Sequence, residues 1–338
     1  MMQMQGYKVI EYSNAGSESE CENKVEILSL AELQALSALH KKEFPNDILN
    51  IQSSLCQVFN RKTIEQIANY AKPGDIVCHP FGPAHQQVMT AYPDLFHIET
   101  GIGYDNPYLQ FRVYESYSHW HFIMGKEDIK AGSDYNWVVP NYFDTSEWTV
   151  KNNHAGYLLL FGRVQENKGV NIVKEIAKYS GVDTIICGTM DIANELRDRT
   201  ANKEDMNSCI QDGAIPNLYY KSPVRGKDRD ALLGNALAVL MPTRYIEPFG
   251  CSGIEGQLCG TPLIASDFGA FSETVGDSQF RCKTLKDWLH AVELARTADR
   301  IKIAEKARDK YSLETIGTMY DKVFTQISEL TNKGWYTL

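Results

Sequence analysis

The sequence predicts an α/β protein built from two doubly wound domains, and three observations carry that expectation. Short apolar runs alternate with amphipathic segments along the chain, the pattern of helices layered on a largely parallel sheet. The 338 residues are long for one core and sufficient for two. A polar, unpatterned stretch from about Asp144 to Ala155, with Lys151-Asn152-Asn153-His154 near its end, reads as a linker between them.

In the first half, Tyr7–Tyr12, Asp75–Cys78 and Leu95–Glu99 are apolar enough for strands. Leu30–Lys42 and Thr63–Ala71 have helical spacing, the second closed by the stop signal Lys72-Pro73-Gly74. Phe111–Phe122 reads as a further helix, and Trp137–Val139 as a short strand running into Pro140-Asn141-Tyr142-Phe143-Asp144. In the second half, strands are expected at Tyr157–Phe161, Thr184–Cys187, Asn217–Tyr220, Ala236–Met241 and Pro262–Ser266. Helices are expected at Asn171–Tyr179, Asp228–Asn235 and Cys251–Cys259, and Leu285–Leu330 is almost all helical. Two such domains place a ligand in the cleft between them, at the carboxyl ends of the strands.

Composition narrows the function class. The hydrophobic fraction of 43% and charged fraction of 23% are those of an ordinary globular protein. A formal net charge of −9 argues against a protein whose whole surface grips a polyphosphate, while leaving a local basic patch open. The eight cysteines are scattered without a CxxC pair, as expected of reduced thiols. No run approaches the roughly 20 apolar residues that span a bilayer. Met1–Gly6 lacks the regions of a signal peptide, so a cytoplasmic location is expected.

The strongest local signal is Thr243-Arg244-Tyr245-Ile246-Glu247-Pro248-Phe249-Gly250-Cys251-Ser252-Gly253-Ile254-Glu255, which follows a buried strand and opens a helix. Small residues from Gly250 to Gly253 at a helix N-terminus let a diphosphate approach unpaired N–H groups. Of the two flanking carboxylates, one suits a ribose diol and the other sugar hydroxyls or positive charge at an anomeric carbon. The second signal, Phe161-Gly162-Arg163-Val164-Gln165-Glu166-Asn167-Lys168-Gly169, follows the first strand of the second domain. Arg163 offers a planar fork to phosphate oxygens and Lys168 a point charge, on the same sheet edge as the Glu247 loop.

As a set, the Gly162-Arg163 and Lys168-Gly169 pairs, Glu247-Pro248-Phe249-Gly250 and Glu255 resemble glycosyltransferase family 4. Val138-Val139-Pro140-Asn141 and Cys259-Gly260-Thr261-Pro262-Leu263-Ile264-Ala265 extend the resemblance over roughly Trp137 to Val275. It implies a GT-B fold: two Rossmann-like doubly wound domains facing a central cleft, with a C-terminal helix crossing back to the first. Residues 1–150 would then form the acceptor-side domain, 151–312 the nucleotide-sugar domain and 313–338 the returning helix. It implies retaining transfer of a hexose from a nucleotide diphosphate sugar, a UDP-sugar by default, with neither metal nor cofactor. The acceptor stays open among glycan, lipid, protein and modified nucleic acid, and the oligomeric state is open too.

The same resemblance suggests residue roles. Arg163 and Lys168 would bind the donor diphosphate and take part in catalysis; Glu247 would be the catalytic carboxylate beside the donor sugar; Glu255 would bind the ribose. Phe249, Gly250, Cys251, Ser252 and Gly253 would give backbone contacts, and Gly162 would let its loop approach the donor. The expected reaction is a front-face substitution in which the departing diphosphate oxygen takes the acceptor proton. The first half departs from the family: Asn14-Ala15-Gly16-Ser17 is its only candidate for the usual glycine-rich loop. Where relatives carry a histidine facing the sugar, the equivalent here is Glu99 or Thr100, with Glu99 the catalytic candidate and His97 turned to the core. The alternatives are a non-catalytic sugar-nucleotide-binding protein and a GT-B epimerase or phosphorylase.

Other features read more simply. Gly101-Ile102-Gly103 lacks the third glycine of a dinucleotide site, because position 106 is Asn. Asp228-Arg229-Asp230 reads as capping and surface charge at a helix start. His79 and His85 flank Pro80-Phe81-Gly82-Pro83 with too few further ligands for a metal. The aromatic run Tyr114–Phe122 reads as a helix packed on the sheet, its exposed parts free to stack on an acceptor sugar or base.

Overall fold

A computed structural model describes residues 1–40, 50–130, 132, 134–189, 204–205 and 209–332. The chain divides into two compact units. One comprises Met1–Glu115, Ile123–Pro140 and the chain from Ile316; the other comprises Ser116–Phe122 and Asn141–Thr315.

In the first unit, strands β1 (Ile10–Ser13) and β2 (Asn23–Glu26) form a parallel pair. Strands β3 (Ile76–His79), β4 (Phe96–Ile102), β5 (Phe111–Tyr114) and β6 (Asn136–Val138) form a second sheet, parallel throughout and in that order. Its core joins Ile98 and Val113 to Ile316, Tyr320, Val323, Phe324 and Ile327 of the helix Leu313–Asn332. Those helix positions recur at the three- and four-residue spacing of a single face. Each buried aliphatic side chain there contributes about 1.5–3 kcal/mol. The C-terminal helix therefore packs on the N-terminal sheet. Tyr7 Oη donates to Asp321 at 2.9 Å and Trp137 Nε1 to Gln326 at 2.7 Å, adding polar contacts on the same helix.

Two expectations need correcting here. Phe111–Phe122 is not one helix: Phe111–Tyr114 is strand β5, and a helix runs over Tyr117–Lys126. The division falls at Ser116, whose Oγ accepts from the N–H of His119 at 3.1 Å as an N-cap does. The helix expected at Thr63–Ala71 runs over Ser54–Ile67, because Ser53 caps it by accepting from Cys56 N. The helix at Leu30 is described as Leu30–His40, and the rest of its expected span lies outside the described residues.

The second unit is one sheet of order β14-β13-β12-β7-β8-β11-β10-β9. Its strands are β7 (Leu158–Phe161), β8 (Thr184–Cys187), β9 (Glu204–Asp205), β10 (Cys209–Gln211), β11 (Leu218–Lys221), β12 (Ala238–Met241), β13 (Leu263–Ser266) and β14 (Arg281–Cys282). All pair in parallel except β9 with β10 and β10 with β11. Two apolar clusters form around this sheet, so its central strands are continuous buried runs such as Leu158-Leu159-Leu160 and Ala238-Val239-Leu240-Met241. The chain builds outward from β7 through β8 to β11, then returns to lay β12 on the other side of β7. Loops leaving β7, β12 and β13 therefore collect at one sheet edge, around the crossing point where α/β sheets bind ligands. Among the described residues, no helix is long and apolar enough to cross a membrane.

Arg300 shows how tightly this unit is closed. It is 3% exposed, and its guanidinium donates to the carbonyls of Lys151, Ala236 and Gly234 and to Thr261 Oγ1 at 2.6–3.0 Å. Substituting methionine removes four hydrogen bonds, three of them buried. Arg300→Met is expected to cost about 3–5 kcal/mol, read as a lower urea midpoint at unchanged m; a midpoint equal to the parent's would contradict it.

Candidate functional site

The β7, β12 and β13 loops are locked together by backbone contacts. Arg244 N donates to Asn167 O at 2.8 Å, joining the β12 loop to the β7 loop. Ala270 N donates to Glu247 O at 3.1 Å, and Ser266 Oγ to Thr243 O at 3.0 Å, so the β13 loop backs the β12 loop. Side chains on these loops are therefore held by the sheet rather than by loop sequence alone.

At the centre, Lys168 Nζ donates to Glu247 Oε2 at 2.8 Å and also to Tyr245 Oη. Tyr245 Oη in turn donates to the same carboxylate oxygen at 2.7 Å, and Lys168 Nζ lies 4.8 Å from the Tyr245 ring centroid. The Lys168 and Glu247 side chains are only 15% and 9% exposed, which makes this a shielded ion pair. Arg163 stands exposed on the same loop, held by the buried neighbour Val164, whose N–H donates to Thr189 O at 2.9 Å. Gly162 has φ 142°, a backbone that other residues rarely adopt.

The helix Cys251–Leu258 starts beside this pair. Its N-cap Gly250 has φ 91°, and its carbonyl accepts from the N–H groups of Gly253 and Ile254. The first turn of a helix directs donors and the positive end of its dipole outward, so the loop edge suits a phosphate. Ser252 is half-buried and Cys251 exposed, with Asn141 Nδ2 donating to Cys251 Sγ at 3.3 Å. The Phe249 side chain is core: it is 2% exposed, 6.4 Å from the Phe143 ring and edge-on to Tyr311 at 5.5 Å. Its fixed position sets the backbone that follows it. A Cβ on Gly253 would fall 2.5 Å from Leu263 Cδ2 and 2.8 Å from Met241 Sδ, so this glycine seats the helix on the sheet.

Glu255 is 5% exposed and forms an ion pair with Arg229 through Oε1. Among the described residues its second oxygen, Oε2, has no hydrogen-bond partner. The expectation that Asp228-Arg229-Asp230 is capping and surface charge holds for Asp228, exposed in the first turn of its helix, and is overturned for Arg229 and Asp230. Arg229 reaches Glu255, and Asp230 Oδ1 accepts from Thr149 N at 2.8 Å and Cys259 Sγ at 3.4 Å. None of these three contacts is visible in the sequence, because each joins residues far apart along the chain. Tyr245 was also missed as a member of the Lys168–Glu247 group, although it lies inside the motif that holds Glu247.

In the first unit, Glu99 is fully buried. Oε1 accepts from Tyr104 Oη at 2.9 Å, and Oε2 from the N–H groups of Tyr108 and Leu109, each at 2.6 Å. Burial raises its pKa above the ordinary value, opposed by those three donors and by Arg112. The arrangement is that of an internal acceptor holding the segment after β4, which bulges between Glu99 and Ile102. Thr100 is half-buried beside it.

His97 is 8% exposed, with Nε2 2.7 Å from Tyr92 O and Nδ1 2.8 Å from His79 Nε2. A carbonyl only accepts, so His97 carries its proton on Nε2 and accepts from His79 at Nδ1. Burial, then His97 and His85, push the His79 pKa down to about 3. Among the described residues no three His, Cys, Asp or Glu side chains are placed to hold a metal.

A family model described as "Glycosyl transferases group 1" matches residues 144–314 of the 338. The chain belongs to this family. The group 1 match contains the Arg163–Lys168 loop, Arg229 and the Glu247–Glu255 segment. The chain is 25% identical over 126 residues to a D-inositol 3-phosphate glycosyltransferase of Paenarthrobacter aurescens, covering 36% of this chain and 30% of that protein. It is 30% identical over 142 residues to another, of Pseudarthrobacter chlorophenolicus, covering 41% and 32%. The match thus spans less than a third of either relative's length. Among solved structures, Anabaena HepE in complex with UDP aligns over 95% of this chain and 100% of its own, with a TM-score of 0.66 and 14% identity. Sucrose-phosphate synthase of Thermosynechococcus elongatus aligns over 96% and 90%, with a TM-score of 0.66 and 15% identity. The group 1 chain shares with them the GT-B fold, two largely parallel sheets with a C-terminal helix packed on the N-terminal one.

Proposed function

We propose that this group 1 chain transfers a hexose from a UDP-sugar to an acceptor hydroxyl, with retention at the anomeric carbon. One observation carries the reading: the shielded Lys168–Tyr245–Glu247 group lies beside a helix N-terminus where the β7 and β12 loops meet. A departing diphosphate needs cations and N–H donors as its charge grows, and Lys168, exposed Arg163 and the Gly250–Gly253 turn supply them. Glu247, held by its contact with Lys168, accepts a hydroxyl of the donor sugar. The acceptor oxygen bonds to the anomeric carbon on the face from which the phosphate oxygen leaves. That phosphate oxygen takes the acceptor proton, so no strong protein base is required. Glu99 receives no part in this scheme, since its own unit fills both carboxylate oxygens.

UDP is the first nucleotide to test, because HepE has been solved with UDP-glucose as well as with UDP. A ligand at about 100 times its Kd stabilises the folded state by about 2.7 kcal/mol. UDP is therefore expected to raise Tm, and NMR of the product from UDP-glucose and a hydroxyl acceptor or water to show the α-anomer first. UDP binding without turnover of any UDP-hexose would leave only a sugar-nucleotide-binding protein. No thermal response to UDP, GDP or ADP would remove the reading.

A further inference from the structure

Arg229 stands in the helix Gly226–Asn235, where charged side chains are ordinarily solvated. Its guanidinium is instead drawn inward. It lies 5.3 Å from the Trp148 ring centroid and 5.4 Å from that of Phe161, and binds Glu255 Oε1. Both rings are fixed. Trp148 is 9% exposed, with its carbonyl accepting from Arg308 and the next N–H donating to Asp230; Phe161 ends strand β7. Two cation–π contacts and an ion pair leave the guanidinium little freedom.

The consequence falls on Glu255. A carboxylate 95% removed from solvent needs a fixed partner, and an unheld one turns to satisfy whichever oxygen it can. With Oε1 occupied by Arg229, the oxygen left without a protein donor among the described residues is Oε2. Such an orphan acceptor is costly in a folded protein unless a ligand donor meets it. We infer that Arg229 is a positioning residue: it clamps Glu255 so that Oε2 is presented to a ribose hydroxyl of the donor nucleotide, and thereby sets selection for ribonucleotides. The inference rests on the nucleotide site proposed above and adds to it the residue that makes Glu255 selective.

A ligand hydroxyl bonded to a fixed, charged acceptor is worth about 10–100-fold in affinity. Calorimetry on the full chain with UDP, 2′-deoxy-UDP and 3′-deoxy-UDP reads this directly. The parent is expected to bind UDP at least 10-fold more tightly than one of the deoxy analogues. In Arg229→Met that ratio is expected to fall below about 3-fold, with the deoxy analogue bound as before, and Arg229→Lys to restore part of it. In a Glu255→Gln background, Arg229→Met is expected to change the ratio no further. In kinetics the loss should lie in KM for the donor, with kcat within about 3-fold. Arg229→Gln, checked for parental Tm and far-UV spectrum, serves if the methionine variant is poorly folded. A ratio unchanged in a folded Arg229 variant overturns the clamp while leaving the nucleotide site standing. A parent that binds UDP without discriminating either deoxy form overturns Glu255 as the ribose acceptor and the clamp with it. Failure to bind UDP, GDP or ADP at all removes the nucleotide site itself.

Discussion

Lys168→Ala is expected to lower kcat/KM for the donor by about 10²–10³-fold, the usual cost of deleting one preorganised group that meets developing charge. Lys168 has two tasks. In the proposed scheme its ammonium meets the donor phosphates, and it pairs with Glu247 through a 2.8 Å contact that is largely closed to water. Alanine removes both at once, and among the described residues leaves the Glu247 carboxylate paired only with Tyr245, which already donates its single proton there. Steady-state rates with UDP-glucose and calorimetry with UDP separate the two tasks. Weaker UDP binding reports the phosphate contact; a further drop in kcat reports the disordered carboxylate. Lys168→Arg keeps charge and is expected to recover part of the binding but less of the rate, because a planar fork does not fit the point at which Nζ meets Tyr245 and Glu247. A kcat/KM within threefold of the parent's in Lys168→Ala would sink the assignment.

Gly188→Ala is expected to impair folding and activity together. A Cβ at Gly188 would lie 1.5 Å from Gly162 O, inside any tolerable contact, and the obstacle is backbone rather than a side chain that can swing away. Gly162 is itself tied to β8 by its N–H bond to Cys187 O at 3.0 Å, so the β7 loop must move as a piece or tear that bond. Overpacking of this kind costs about 3 kcal/mol. A shift of about 1 Å in the loop that carries Arg163 and Lys168 can cost about 10²-fold in rate. Urea unfolding should show a lower midpoint, and kinetics on the folded fraction should show the loss of rate. Parental values in both measurements would mean that the two glycines are not in contact.

The meeting of the Arg163–Lys168 and Glu247–Glu255 segments was legible in the sequence because its parts are local. Gly162 to Lys168 and Glu247 to Glu255 each follow a buried apolar strand, and parallel pairing brings the ends of β7 and β12 to one edge without further information. The pairing of Arg229 with Glu255 was not legible, since it depends on how the helix Gly226–Asn235 meets the helix Cys251–Leu258. The same limit applied to Glu99. Its place at the end of a strand suggested exposure to a ligand, but the chain folds back and supplies Tyr104 Oη and two N–H groups to its carboxylate. Phe111–Phe122 misled for a different reason. A buried strand and an aromatic-rich helix follow one another with neither Gly nor Pro between them, and only Ser116 marks the border.

Ser116 and the residues after it also bear on how this architecture can be inherited. Glu273 accepts the N–H groups of Tyr117 and Ser118, and Ser118 Oγ donates to Gly269 O, so part of the second unit is written in the gene within the stretch that encodes the first. The chain crosses between units after Glu115, Phe122, Pro140 and Thr315. A recombination joint placed at the obvious linker would therefore swap Glu273 and Gly269 while leaving their partners behind. Exchange of the second unit between relatives is constrained by these few side chains, and chimaeras that carry Ser116–Phe122 along with Asn141–Thr315 are the ones that keep both sets of bonds.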